Sequence, residues 1–215
     1  MTDAAAFILA HTAQAQPPLV PEITLHLATR ITPIWQASET WLRATGIDPP
    51  FWAFAWPGGQ ALARFIIDSP DRLRALRVLD FAAGCGLAGI AAARAGAARV
   101  EATEIDPLAA AAIALNAALN GATVTVLAGD AVGSDCRWDL ILAGDVCYEA
   151  PMTRHILPWL RRMAATAEVW IADPGRAYLP ATGLLPFARY VVPTTTELED
   201  RTERVVTIAR LLPAD

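Results

Sequence analysis

Five carboxylates in this chain each close an apolar run, an order that suits a ligand rim better than scattered surface charge. Val78-Leu79-Asp80-Phe81 leads into Ala82-Ala83-Gly84-Cys85-Gly86, and Arg99 to Thr103 ends on Glu104-Ile105-Asp106-Pro107. Val124 to Leu127 leads to Gly129-Asp130-Ala131, Ile141-Leu142-Ala143 runs into Gly144-Asp145-Val146-Cys147-Tyr148, and a last apolar run ends on Asp173. A Gly-x-Gly turn between strand and helix lets the backbone approach a ligand closely. Dinucleotides use such turns, but their pyrophosphate lies against the loop, where Asp80 would repel it. S-adenosylmethionine carries an ammonium and a sulfonium and no phosphate, so Asp80 attracts it, directly or through water. These residue types point to methyl transfer over hydride transfer.

In that reading Asp80, Gly84 and Gly86, with Ala82 in the same loop, hold the methionine end of the cofactor. Glu104, with Ile105 beside it, takes the ribose hydroxyls, and Asp130, with Ala131, accepts from the adenine amino group. Asp145 and Tyr148 follow a glycine and stand three apart, so a carboxylate and a ring can project from one turn toward the methyl donor, where the acceptor should lie. The alternative is structural: a tight turn at the glycines, capping acids, an Asp145 that only precedes the Pro151 helix, and a packed Tyr148.

The elements that must position these groups alternate. The spacing predicts helices over 3–15, 57–68, 87–96, 107–120 and 151–165, and strands over 23–29, 76–81, 98–104, 122–127, 138–143, 167–172, 187–192 and 203–211. Asp106 reads as an N-cap with Pro107 at the first helical position. Pro158 inside 151–165 implies a kink or two short helices. Alternating β and α predicts an α/β fold with a doubly wound, mostly parallel sheet of seven strands, six of them helix-linked and one returning antiparallel. Residues 1–56 read as a short N-terminal extension packed on the core and 57–215 as the cofactor-binding domain. Trp35, Trp41, Phe51, Trp52, Phe54 and Trp56 crowd the stretch ahead of the glycine loop, as core or as a substrate-facing wall. In Trp56-Pro57-Gly58-Gly59, Pro57 suits a helix start and the glycines permit close approach.

Composition excludes several classes. The chain has 215 residues and a net charge of −5, and all 17 basic residues are arginine. No basic run extends beyond the pair Arg161-Arg162, which argues against nucleic acid and toward a protein or small-molecule substrate. The absence of lysine fits a coding bias, or a lysine-modifying enzyme that spares itself; composition does not separate the two. Cys85, Cys136 and Cys147 form no Cys-x-x-Cys pair, so neither a metal site nor a disulfide framework is expected, and a reducing cytoplasm fits. The segment through Pro21 has an apolar patch, Ala4 to Ala10, without basic residues ahead of it, so no signal or transit peptide is expected. No apolar run is long enough for a membrane span, so a soluble protein without a membrane partner is expected.

Taken together, these blocks resemble a class I, seven-β-strand methyltransferase of methyltransferase family 16, and within it the electron transfer flavoprotein β-subunit lysine methyltransferases. The likeness rests on Leu19-Val20-Pro21-Glu22-Ile23, Phe51 through Arg64 including Trp56-Pro57-Gly58-Gly59, the loop from Val78 to Gly86, and Glu104-Ile105-Asp106-Pro107. It extends to Leu115-Asn116-Ala117 with Asn120-Gly121, Asp145-x-x-Tyr148 and Asp173-Pro174-Gly175-Arg176. Ala82 stands where the first glycine is usual and Glu104 where aspartate is commoner; neither change removes a required group. The resemblance implies methyl transfer from S-adenosyl-L-methionine, with S-adenosyl-L-homocysteine as product, to lysines of the flavoprotein β subunit. A ribosomal stalk protein is a further implied acceptor, and a monomer is expected. Asp145 would dock and orient the amine while Tyr148 and Trp56 wall the channel, and Trp56, Gly58 and Asp145 are also expected among the cofactor-binding residues. The rivals are a ribosomal-protein or small-molecule methyltransferase on the same fold, an NAD(P)-dependent oxidoreductase, and a cofactor-binding protein without catalysis.

Overall fold

The computed structural model describes residues 4–29, 32, 49–195 and 199–214. Trp35 and Trp41 of the aromatic stretch lie outside them. Helix α1 (Ala4–His11) is shorter than the helix expected over 3–15, because Ala13–Ala15 (β1) pairs antiparallel with Leu25–Leu27 (β2). Thr12 closes α1 by donating from both its backbone N–H (3.0 Å) and its hydroxyl (2.7 Å) to the Ile8 carbonyl. The strand expected over 23–29 is reduced to β2.

Helix α2 (Pro57–Asp68) starts as expected, with Pro57 in its first turn. The strand β3 (Arg77–Phe81), helix α3 (Leu87–Arg94), strand β4 (Arg99–Glu104), helix α4 (Pro107–Leu119) and strand β5 (Thr125–Ala128) follow. Then come β6 (Leu140–Gly144), α5 (Ala150–Met163), β7 (Glu168–Asp173), β8 (Leu184–Pro193) and β9 (Glu203–Leu211). The Asp106 carboxylate accepts the Leu108 N–H at 2.8 Å, so the expected cap is present. Helix α5 runs unbroken through Pro158. Pro158 is exposed, so the carbonyl that its missing N–H leaves unpaired can turn to water.

The sheet order is β5-β4-β3-β6-β7-β9-β8, seven strands. The pairs β5·β4, β4·β3, β3·β6 and β6·β7 are parallel, while β9 lies antiparallel to β7 and β8. Only β9 therefore runs against the rest. The expectation of six helix-linked strands needs correcting: among the described residues no helix links β5 to β6 or β7 to β8. Alternate residues of the buried strands feed two apolar layers. Val78, Leu140 and Leu142 pack under α2 and α3 with Leu62, Ile66 and Ile90, whereas Leu79, Phe81 and Ile141 meet Ile156, Trp159 and Leu160 of α5.

The N-terminal hairpin shares this core. Val20, Ile23 and Leu25 are fully buried in the α2–α3 layer. Asn116 accepts the His26 N–H (2.7 Å) and donates to the Cys85 carbonyl (2.9 Å), and Asn120 exchanges bonds with Thr24 at 3.1 and 2.6 Å. Chain order reverses between β3 and β6, with β4 and β5 added on one side and β7 on the other. The carboxyl ends of the strands at that reversal are where such sheets bind ligands.

Candidate active site

A cleft of about 900 Å³ opens over the carboxyl ends of β3, β4, β5 and β6. Among the expected cofactor residues, Trp56, Ala82, Gly84, Glu104, Ile105, Asp130, Ala131 and Asp145 line it, as does Tyr148. Asp80, Gly58 and Gly86 stand behind its wall. Asp80 is buried beneath the glycine loop, where Oδ2 accepts the Gly89 N–H at 2.7 Å, and burial pushes its carboxyl up to about 7. A Cβ on Gly89 would lie 3.0 Å from that oxygen, so only glycine fits there without a shift. Gly89 had a visible signal, as the third glycine of Gly84-x-Gly86-x-x-Gly89, yet it is absent from the expected site.

The loop geometry explains its composition. Ala82, Gly84 and Gly86 all have positive φ, at 51°, 55° and 79°. A Cβ on Gly86 would meet Ile113 at 3.0 Å, while Gly84 faces open space. Ala82 adopts this left-handed conformation at a cost of about 1–2 kcal/mol relative to glycine. On β4, burial pushes the Glu104 carboxyl up to about 7, with Asp106 and Asp80 adding repulsion. Two buried polar atoms in the cleft wall, Trp52 Nε1 and Thr103 Oγ1, have no hydrogen-bond partner among the described residues. At the far end, Asp130 accepts the Val132 N–H at 2.8 Å, and its Oδ2 lies 2.6 Å from His155 Nε2.

Asp145 follows β6 with a φ of 55°, a conformation that Asp and Asn tolerate better than most residues. Its N–H donates to the Ala172 carbonyl at 3.0 Å. Its Oδ2 accepts the Gly58 N–H at the start of α2, and its Oδ1 accepts Arg176 Nη2 (2.7 Å) and Nε (3.1 Å). Burial raises its carboxyl to about 6, with the Arg176 guanidinium pulling the other way. A Cβ on Gly58 would lie 2.5 Å from the Ala172 carbonyl and 2.6 Å from Asp145 Oδ2; one on Gly144 would lie 2.8 Å from the Gly59 nitrogen. Both glycines are therefore packing requirements. Beside Asp145, burial pushes the Cys147 thiol up to about 12, so it is no nucleophile at neutral pH.

Rings form the mouth. Phe51 (50% exposed) lies 5.8 Å from Tyr148 (42% exposed) and 6.0 Å from Trp56, whose Nε1 donates to the Phe51 carbonyl at 2.8 Å. The aromatic stretch thus divides: Trp52 is buried in the cleft wall, while Phe51 and Trp56 stand more open at the mouth with Tyr148. Sequence reasoning did not assign Arg176, although it lies in the Asp173-Pro174-Gly175-Arg176 block. His155 and Glu199 carried no local signal.

The seven-stranded sheet with antiparallel β9 set between β7 and β8, and its cleft at the strand reversal, is the class I methyltransferase fold. A solved structure of a putative RNA methyltransferase from Pyrococcus horikoshii has it, at a TM-score of 0.57 and 17% identity, over 78% of this chain and 90% of that one. The family model described as lysine methyltransferase matches residues 32–173. The electron transfer flavoprotein β subunit lysine methyltransferase of Xenopus laevis is 40% identical over 203 residues, 90% of this chain and 81% of that protein. The human protein of the same name is 39% identical, over 74% of this chain and 61% of its own length. The chain belongs to the lysine methyltransferase family. It is an S-adenosylmethionine-dependent protein-lysine methyltransferase.

The cleft fits that cofactor. Its wall supplies an unpartnered donor at Trp52 Nε1, an unpartnered hydroxyl at Thr103, a glycine loop open at Gly84, and carboxylates at Glu104 and Asp130. Asp80 lies beneath the loop, where its carboxyl holds the Gly89 backbone N–H.

Proposed function

We propose that this protein methylates lysines of the electron transfer flavoprotein β subunit, with Glu104, Asp130 and the Gly84 loop holding S-adenosylmethionine and Asp145 meeting the acceptor amine. The observation that carries this reading is the placing of Asp145, buried and held by Gly58 and Arg176, in the same cleft as Glu104 and the Phe51, Trp56 and Tyr148 rings. When bound, the cofactor supplies an electrophilic methyl group on a sulfonium. Trp56, Phe51 and Tyr148 exclude water and guide an aliphatic side chain toward Asp145. Ring faces also suit an ammonium and its methylated forms.

The amine must lose its proton before it can attack. From a reference pKa near 10.4 that costs about 4–5 kcal/mol at pH 7, and apolar surroundings reduce the cost. Asp145 favours the ammonium, so its role here is docking and orientation, not proton removal; positioning supplies the rate. The three free cysteines suit a reducing compartment such as the cytoplasm. The test is incubation of purified β subunit with the enzyme and labelled S-adenosylmethionine, followed by mass spectrometry. Added methyl mass on lysines is expected. An unmodified β subunit alongside a methylated ribosomal stalk protein would reassign the acceptor.

A further inference from the structure

Behind the acceptor end of the cleft lies a chain of alternating charges. Besides its bonds to Asp145, Arg176 donates from Nη2 and Nη1 to the two carboxylate oxygens of Glu199, at 2.5 and 3.1 Å. Arg204 Nε donates to Glu199 Oε2 at 2.9 Å, and its Nη2 to the Glu199 carbonyl at 3.0 Å. The side chains of Glu199 and Asp145 are 1% and 8% exposed, so this network is largely desolvated. Glu199 comes from the β8–β9 connection, which reaches the rim because β8 runs parallel to β7. Buried ion pairs are weak stabilisers against an apolar replacement, so stability is a poor account of this network and geometry a better one.

We propose that Arg176, clamped by Glu199, is the positioning residue that makes the Asp145 carboxylate an ionised but half-neutralised anchor for the acceptor amine. The inference deepens the lysine-methylation reading and rests on it. An anchor for an ammonium must be ionised, yet a bare buried carboxylate would hold the proton on the amine. Arg176 on Oδ1 and the Gly58 N–H on Oδ2 answer both demands, since they favour the anion and spread its charge. Asp145 is also faced by Asp173 at the end of β7, by Cys147 on its own turn, and by Glu199 beyond the guanidinium. Tyr148, on the same turn, takes its electrostatic influence from Glu149 and Glu104. Burial opposes ionisation of Asp145 and Arg176 favours it, so removing the guanidinium moves the carboxyl further toward its protonated form.

The test uses the full chain with Arg176→Gln, Arg176→Lys and Glu199→Gln. Methylation of the β subunit is followed against pH, and the Asp145 carboxyl is titrated by carbon-13 NMR in the S-adenosylhomocysteine complex, assigned with Asp145→Asn. For Arg176→Gln, kcat/KM on the β subunit is expected to fall roughly 10- to 150-fold while S-adenosylhomocysteine affinity stays within about threefold. The acid limb of the profile and the Asp145 titration both move up by about one pH unit or more. Arg176→Lys recovers part of the loss, and Glu199→Gln falls between. An Asp145 titration and pH profile unchanged in Arg176→Gln would overturn the proposal. If that variant does not fold, Arg176→Lys and Glu199→Gln decide by the same two readouts. A wild-type enzyme that leaves the β subunit unmodified overturns the acceptor assignment alone, since the NMR titration still reports whether Arg176 sets the charge of Asp145.

Discussion

Glu104 is half-buried and Asp80 fully buried, and substitutions should separate the parts proposed for them. Glu104 opens onto the cleft, whereas Asp80 lies beneath the loop on the Gly89 N–H. Glu104→Gln removes a charged acceptor for ribose hydroxyls and is expected to weaken S-adenosylmethionine binding by about 1.5–3 kcal/mol, roughly 10- to 150-fold, by calorimetry. Asp80→Asn keeps an acceptor for Gly89 and is expected to cost less. Equal affinities for wild type and Glu104→Gln would remove Glu104 from the cofactor site. Both residues were legible in the sequence, because a polar group closing an apolar strand is a local pattern. Arg176 stood in a recognisable block, but its partners did not. Glu199 reaches it across 23 positions and His155 reaches Asp130 across 25, and no spacing rule connects such pairs.

At the scale of elements, close packing of the first turn of α2 against the ends of β6 and β7 aims Asp145. Gly58→Ala would put a methyl group against the Ala172 carbonyl and Asp145 Oδ2. It is expected to destabilise the fold by about 1–3 kcal/mol and to displace the carboxylate, costing turnover beyond what stability explains. Gly89→Ala crowds Asp80 instead, so its penalty should show in cofactor affinity. Thermal denaturation with and without S-adenosylhomocysteine checks both: cofactor-induced stabilisation should shrink in Gly89→Ala and persist in Gly58→Ala. The Trp56-Pro57-Gly58-Gly59 start of α2 was readable, since proline and glycine act on their own backbone. The end of α1 was not, because pairing of Ala13–Ala15 with Leu25–Leu27 overrides a helical pattern. Pro158 misled for the same reason: its exposure on α5 is a tertiary fact.

For the whole molecule, the alternation of strands and helices was enough to give the doubly wound sheet, and the expected helices already left the links from β5 to β6 and β7 to β8 bare, which the count of six helix-linked strands overlooked. The sheet gathers acids at one rim, and this has a cost that depends on pH. Burial pushes the carboxyls of Asp80, Glu104 and Asp145 up to about 7, 7 and 6 in the folded chain, from ordinary values of 3.8, 4.5 and 3.8. The folded state therefore holds more protons than the unfolded chain between about pH 4 and 7, and cofactor-free stability declines as pH rises through that window. Asp139, held near 2 by Arg77, acts in the opposite sense, but only at lower pH. Tm of the cofactor-free enzyme is expected to be higher near pH 5.5 than near pH 8, with a flatter slope in Asp80→Asn. Affinity for the cationic cofactor should rise over the same interval, because it favours the ionised carboxylates.

The division of the cleft into a cofactor end and an acceptor end is tested most directly by Asp145→Asn. Asparagine tolerates the positive φ and keeps an acceptor for Gly58, whereas alanine would leave Arg176 beside an empty site. Cofactor affinity and turnover on the β subunit are measured on one preparation of that variant. The expected result is an S-adenosylhomocysteine Kd within about threefold of wild type together with a fall in kcat/KM of roughly 100-fold. Turnover within twofold of wild type, or a loss of affinity as large as the loss of turnover, would contradict the assignment of Asp145 to the acceptor amine.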